Sequence, residues 1–198
     1  STASSVSHPR LAGLLDHGFD EEQKCLFIVS EFAEGKSLSR VLDDGPLGPR
    51  DAVHMAIHIA SALSAVHSGG FAHRLVRPSN IFLDELGDCR LTDVGVATML
   101  GLDLLPLRER LDRDPYLSPE QIRGGRIDDR SDQFSLGLVL FQALTRRYAF
   151  EGRSPNGKLH AIATSGRRVP LGKIVDPKKQ LSMILEKMLA IDPDDRFQ

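Results

Sequence analysis

Between Ala52 and Val66 the chain carries two apolar stripes at helical spacing, Val53, Ile57, Ala60 and Leu63 on one and Met55, Ile59, Ala62 and Val66 on the other. A helix that is apolar on two faces cannot lie on a surface. It has to be enclosed by other elements on both sides, which demands a domain built around it. Pro49 suits its first turn and Gly69-Gly70 its end. At 198 residues and 41% hydrophobic content, the chain has material for one such core.

The neighbours of this helix are legible in outline. Leu11 to Leu15 and Leu26 to Phe32 are apolar runs separated by the polar stretch Asp16 to Lys24, which predicts a β-hairpin with a long turn. Ile81 to Leu83 and Cys89 to Leu91 flank Asp84-Glu85-Leu86-Gly87-Asp88, a composition suited to a tight turn between two very short strands. Everything between the helix and this second hairpin reads as loop. Ser131 or Asp132 is placed to cap a helix through Phe134, Leu136, Leu140 and Leu144, and a last helix shows Leu181, Ile184, Leu185, Met188 and Leu189 on one face.

Composition removes several classes of function. Lys plus Arg number 25 against 27 Asp plus Glu, so a net charge of −2 gives no footprint for a nucleic-acid partner. Cys25 and Cys89 are too few for a disulfide framework, which favours a reducing, cytoplasmic setting and two small core cysteines. Ser1 to Ser7 has no basic-then-apolar leader pattern. No apolar run reaches the ~18 residues of a membrane span, Phe134 to Leu144 coming nearest, so no membrane contact is expected from this segment.

The loop after the long helix reads His73-Arg74-Leu75-Val76-Arg77-Pro78-Ser79-Asn80, and Thr92-Asp93-Val94-Gly95 follows the short hairpin. Tyr116-Leu117-Ser118-Pro119-Glu120-Gln121, Arg130-Ser131-Asp132-Gln133-Phe134-Ser135-Leu136-Gly137 and Asp192-Pro193-Asp194-Asp195-Arg196-Phe197 come later in that order. Together these resemble the catalytic loop, the D-F-G motif, the A-P-E region, the central helix and the closing signature of the larger lobe of Hanks-type Ser/Thr protein kinases. His8-Pro9-Arg10-Leu11 is similar to the link into the fourth strand of that family, and Ser30-Glu31-Phe32-Ala33-Glu34-Gly35 to its gatekeeper and hinge.

The resemblance implies an α+β, mainly helical fold over residues 1–198, with a remnant of smaller-lobe strands and hinge in 1–35 and a helical larger lobe in 36–198. It implies that Glu31, Ala33 and Phe82 border the adenine of ATP, and that Asn80 and Asp93 hold Mg²⁺. Glu120 and Arg196 would form a buried ion pair, and Asp132 would accept backbone hydrogen bonds from the catalytic loop. A competing reading of Asn80 and Asp93 gives them purely local work, Asn80 bracing its loop and Asp93 capping the next turn.

The departures from the pattern are as informative. Leu75 stands where the family has its catalytic Asp, which takes the substrate hydroxyl's proton and aims its oxygen; of that loop His73, Arg74 and Arg77 remain. No Gly-rich loop or V-A-I-K lysine occurs in these residues, so Mg-ATP is expected only if an upper lobe is supplied, and otherwise no cofactor. Val94 replaces the Phe of D-F-G, and Glu109 or Asp112 is a candidate fixed anion for Arg74. The expectation is a catalytically impaired, pseudokinase-like domain acting through a protein partner or a homodimer. The alternatives are part of an active Ser/Thr kinase and a nucleotide-free helical scaffold. His54 and His58 lie i, i+4, but with no H-E-x-x-H and no third ligand in sight they read as ordinary helix histidines.

Overall fold

The structure, a computed structural model, describes residues 6–99, 114–150, 152, 157, 161–164, 168–170 and 179–198. Two small sheets lead into a helical body. Strands β1 (Leu14–Asp20) and β2 (Cys25–Ser30) pair antiparallel; β3 (Lys36–Ser37), β4 (Ile81–Leu83) and β5 (Cys89–Leu91) form a second sheet in that order. The helices are α1 (Leu38–Asp44), α2 (Pro49–Ser68), α3 (Val96–Met99), α4 (Pro119–Arg123), α5 (Asp129–Thr145) and α6 (Gln180–Met188).

The two-striped helix is α2, and it is enclosed as its pattern requires. Ala52, Met55, Ile59, Ala62 and Val66 are buried in a cluster that also takes Leu38, Ile81, Leu91, Phe134, Val139 and Leu185. Ile57, assigned to the first stripe, is exposed. Helix α5 is buried nearly all round from Phe134 to Leu144 and packs against α2. These apolar side chains and the α+β, mainly helical architecture agree with the fold expected from the motifs.

The first hairpin departs from its predicted bounds. Asp16 to Asp20, read as turn, is strand, because it pairs residue by residue with Val29 to Cys25 on a ladder whose faces are open to water. The connection shrinks to a few residues because the Asp20 carboxylate accepts the amides of Glu22 and Gln23, both at 2.9 Å. Leu11 leaves the hairpin altogether. It is buried beside β5, where Ala12 N donates to Leu91 O at 2.9 Å and Leu91 N to Arg10 O at 2.8 Å.

Further corrections concern ends and exposure. Asp128 caps α5, accepting from Arg130 N at 3.1 Å, while Ser131 and Asp132 fall in the first turn with their side chains committed elsewhere. A 3₁₀ turn, Pro78–Asn80, interrupts the predicted loop. Helices α1 and α4 carry only one or two turns each, too short for periodicity to reveal; Ser118 and Gln121 form a capping box on α4. Cys89 is buried as expected, but Cys25 is exposed, because it sits beside the turn of the two-stranded sheet.

Candidate functional site

The loop from His73 to Asn80 is held from below by one carboxylate. Asp132, fully buried in the first turn of α5, accepts from His73 N at 2.7 Å, Arg74 N at 2.6 Å and the His67 ring at 2.8 Å. An anion at a helix N-terminus is favoured by the helix dipole, and three donors offset its burial. His73 is also fully buried: its Nδ1 accepts from Leu75 N at 3.2 Å, so its Nε2 carries the proton given to Thr92 O at 2.9 Å. Burial pushes its pKa below the usual imidazole value, against the opposing pull of Asp132. A neutral imidazole with both nitrogens engaged is a brace and not a base.

Above this brace the loop closes on itself. Asn80 Nδ2 donates to Leu75 O at 3.0 Å, and Thr92 N to Asn80 O at 2.9 Å, so the backbone just before Asp93 is held to Asn80 across the hairpin. Arg77 Nε and Ser79 Oγ reach Asn80 Oδ1 at 3.3 and 3.0 Å, and Arg77 also pairs with Asp114 at 3.3 Å. Gln121 Nε2 holds Arg74 O at 3.0 Å. Arg74 and Asp93 both have positive φ, 68° and 65°, conformations that side-chain-bearing residues adopt at a cost and that this bonding enforces. The proposed Arg74 partners Glu109 and Asp112 lie outside the described residues.

Leu75 sits inside this loop with 7% of its surface exposed. Its amide and carbonyl are used, and its side chain offers neither an acceptor nor a proton. Asp93 differs from the local-cap reading. The turn after it is closed by its backbone, Val96 N to Asp93 O at 3.3 Å, and its carboxylate accepts no hydrogen bond among the described residues. Val94 is buried in the core.

The hinge is bonded to the short sheet. Arg90 of β5 donates to Leu11 O, Phe32 O and the Glu31 carboxylate, tying the hinge to the strand paired with Phe82. The Gly13 amide and Arg90 hold the Glu31 carboxyl below the ordinary carboxylate range. Ala33 is buried and Phe82 half-buried. Gly35, at φ 95°, closes the hinge where a Cβ would lie 1.9 Å from Leu83 O, so no other residue fits there.

The structural pillar is the Glu120–Arg196 pair. Arg196 binds both carboxylate oxygens at 2.8 and 2.9 Å, and Ser131 Oγ adds a third bond at 2.6 Å. Burial would raise the Glu120 pKa, but Arg196 and Ser131 together hold it below the ordinary value. Sequence reasoning missed Gln121, Arg90 and Asp88 because each acts through a partner distant in sequence. Asp88 stands beside His54 and His58, a neighbour that sequence did not show.

The family model described as protein kinase domain matches residues 1–198. The chain is 35% identical over 201 residues to the serine/threonine-protein kinase PrkC of Bacillus subtilis, covering 100% of the chain and 30% of that protein. It is 32% identical over 202 residues to the serine/threonine-protein kinase PknB of Mycolicibacterium smegmatis, covering 99% and 32%. It is also 34% identical over 169 residues to the serine/threonine-protein kinase pkn2 of Myxococcus xanthus, covering 82% and 20%. The chain thus spans a third or less of the length of these relatives.

Proposed function

This chain belongs to the Hanks-type Ser/Thr protein kinase family, and from that premise we propose that it serves as a Mg-ATP-binding kinase domain in which Leu75 slows the transfer step. The observation that carries the reading is a contrast between two neighbouring motifs. Asn80 and Asp93 keep side chains able to hold a cation, and Asn80 O is bonded to the amide of Thr92 beside Asp93, whereas the position that should steer the attacking hydroxyl is the aliphatic Leu75.

The residues present fit the ligand in part. Asp93 would hold Mg²⁺ together with Asn80, whose Oδ1 receives, among the described residues, only the 3.3 and 3.0 Å bonds that an ion can displace. Phe82 and Ala33 would border the base, with Glu31 fixed by Arg90. Bound Mg-ATP supplies the phosphoryl group and a counter-charge for it. The chain's own contribution is to place these groups. Loss of a positioned general base lowers the rate by about 10²- to 10⁴-fold. The names of the relatives favour a working kinase over an inert one, and such a deficit still leaves transfer above the uncatalysed reaction.

A second reading, a nucleotide-free scaffold, draws on the same Asn80 bonds, which brace the loop without any ligand. Its working surface would be the first hairpin, where Leu15, Phe19, Leu26 and Val29 are exposed and suit a protein partner, a second copy or further strands of the parent protein. No helix among the described residues is long and apolar enough to cross a membrane. Thermal melts of the purified protein with and without Mg-ATP separate the two readings. At ~100 times its Kd a ligand stabilises by ~2.7 kcal/mol, so a clear rise in Tm is expected and its absence rejects nucleotide binding.

A further inference from the structure

Away from the loop and hinge, α2 and the β4–β5 turn bring three metal-ligating side chains together. His54 and His58, one helical turn apart, have ring centroids 4.1 Å apart. Asp88 Oδ1 lies 3.9 Å from His58 Nε2, and one donor atom from each residue falls within 4.8 Å of the others. We propose that His54, His58 and Asp88 form a binding site for a divalent zinc-type ion, which clips α2 to the β4–β5 hairpin.

The chemistry of the set supports it. Two imidazoles and a carboxylate are ligands of Zn²⁺ at bond lengths of about 2.0–2.2 Å, and donors this close need only small rotations to share one ion. Arg10 binds the other oxygen of Asp88 at 2.9 Å, which orients the carboxylate and leaves Oδ1 facing His58. Cys89 is not part of the set: burial pushes its thiol up to about 12, and it donates to Gly87 O.

One contact has to give way when the ion binds. In the ion-free form the Cys89 amide donates to His58 Nδ1 at 3.3 Å, which puts the imidazole proton on Nε2. Coordination through Nε2 moves that proton to Nδ1 and exchanges the long hydrogen bond for a metal bond. The ring therefore shifts on binding, and with three protein ligands a fourth position stays open to water. Binding is expected at one ion per chain.

The test uses the purified protein after chelation and desalting, with Zn²⁺ followed by calorimetry and Co²⁺ by its visible absorption. Zn²⁺ should raise the Tm, and Co²⁺ should give a four-coordinate band that Zn²⁺ abolishes. His54→Ala, at an exposed position outside the core, should weaken binding at least tenfold, as should Asp88→Asn, while His17→Ala on β1 should leave it unchanged. No binding up to millimolar ion, or binding undiminished by His54→Ala, overturns the site.

Discussion

Arg196 shows what a single side chain does in this molecule. Its side chain is fully buried, it spans both oxygens of Glu120, and it also donates to the carbonyls of Ala190, Arg130 and Ile191. Removing one partner strands a charge in the core, so Arg196→Met should cost about 3–5 kcal/mol in urea unfolding, whereas replacing both partners should cost much less. Asp132 carries a similar load as one carboxylate serving three donors, and Asp132→Asn should destabilise the loop by leaving Arg74 N or His73 N poorly paired. His73 gives the pH dependence its sign. Burial depresses its folded pKa below 6.5, so the unfolded chain takes up the proton first. Urea midpoints should stay level above pH 6.5 and fall as the pH drops below it, and a midpoint that rises on acidification would contradict the assigned burial.

At the scale of elements, two helices met by packing and a hairpin left in water respond to different measurements. Gly137 in α5 faces α6, and a Cβ there would lie 3.0 Å from Leu189 Cδ2 and 3.1 Å from Met188 Cβ. Gly137→Ala gains about 1 kcal/mol of helix propensity but meets overpacking of about 1–3 kcal/mol, so a net loss of stability is expected by thermal melting. The β1–β2 hairpin buries little, with Leu15 and Leu26 64% and 57% exposed. Its amides should exchange with solvent far faster than those of α2, and equal protection would mean that something covers it. These elements also show where sequence falls short. Helix α2 and the β4–β5 hairpin were legible because apolar spacing and turn residues agree there. Asp16 to Asp20 hid its strand because both its faces meet water, so no alternation is written into it.

Across the whole molecule, the order of motifs was enough to place the family, and the comparisons bear that out over residues 1–198. What one chain of letters cannot carry is the set of long-range bonds that make the site. Arg90 reaches the hinge 59 positions away, Gln121 reaches Arg74 across 47, and Asp88 meets His54 and His58 only after folding. The identity of the residue at position 75 was readable at once, but its setting was not: the bonds that fix its backbone leave an acidic side chain in its place the same support. The most direct measurement is phosphate transfer from labelled ATP to a protein substrate by the full protein, compared with its Leu75→Asp variant under equal nucleotide occupancy. Restoring the carboxylate should raise the rate by about 10²- to 10⁴-fold. Equal rates, with the activity lost on Asp93→Asn, would show that the protein transfers phosphate without a carboxylate at that position and would refute the role assigned to Leu75.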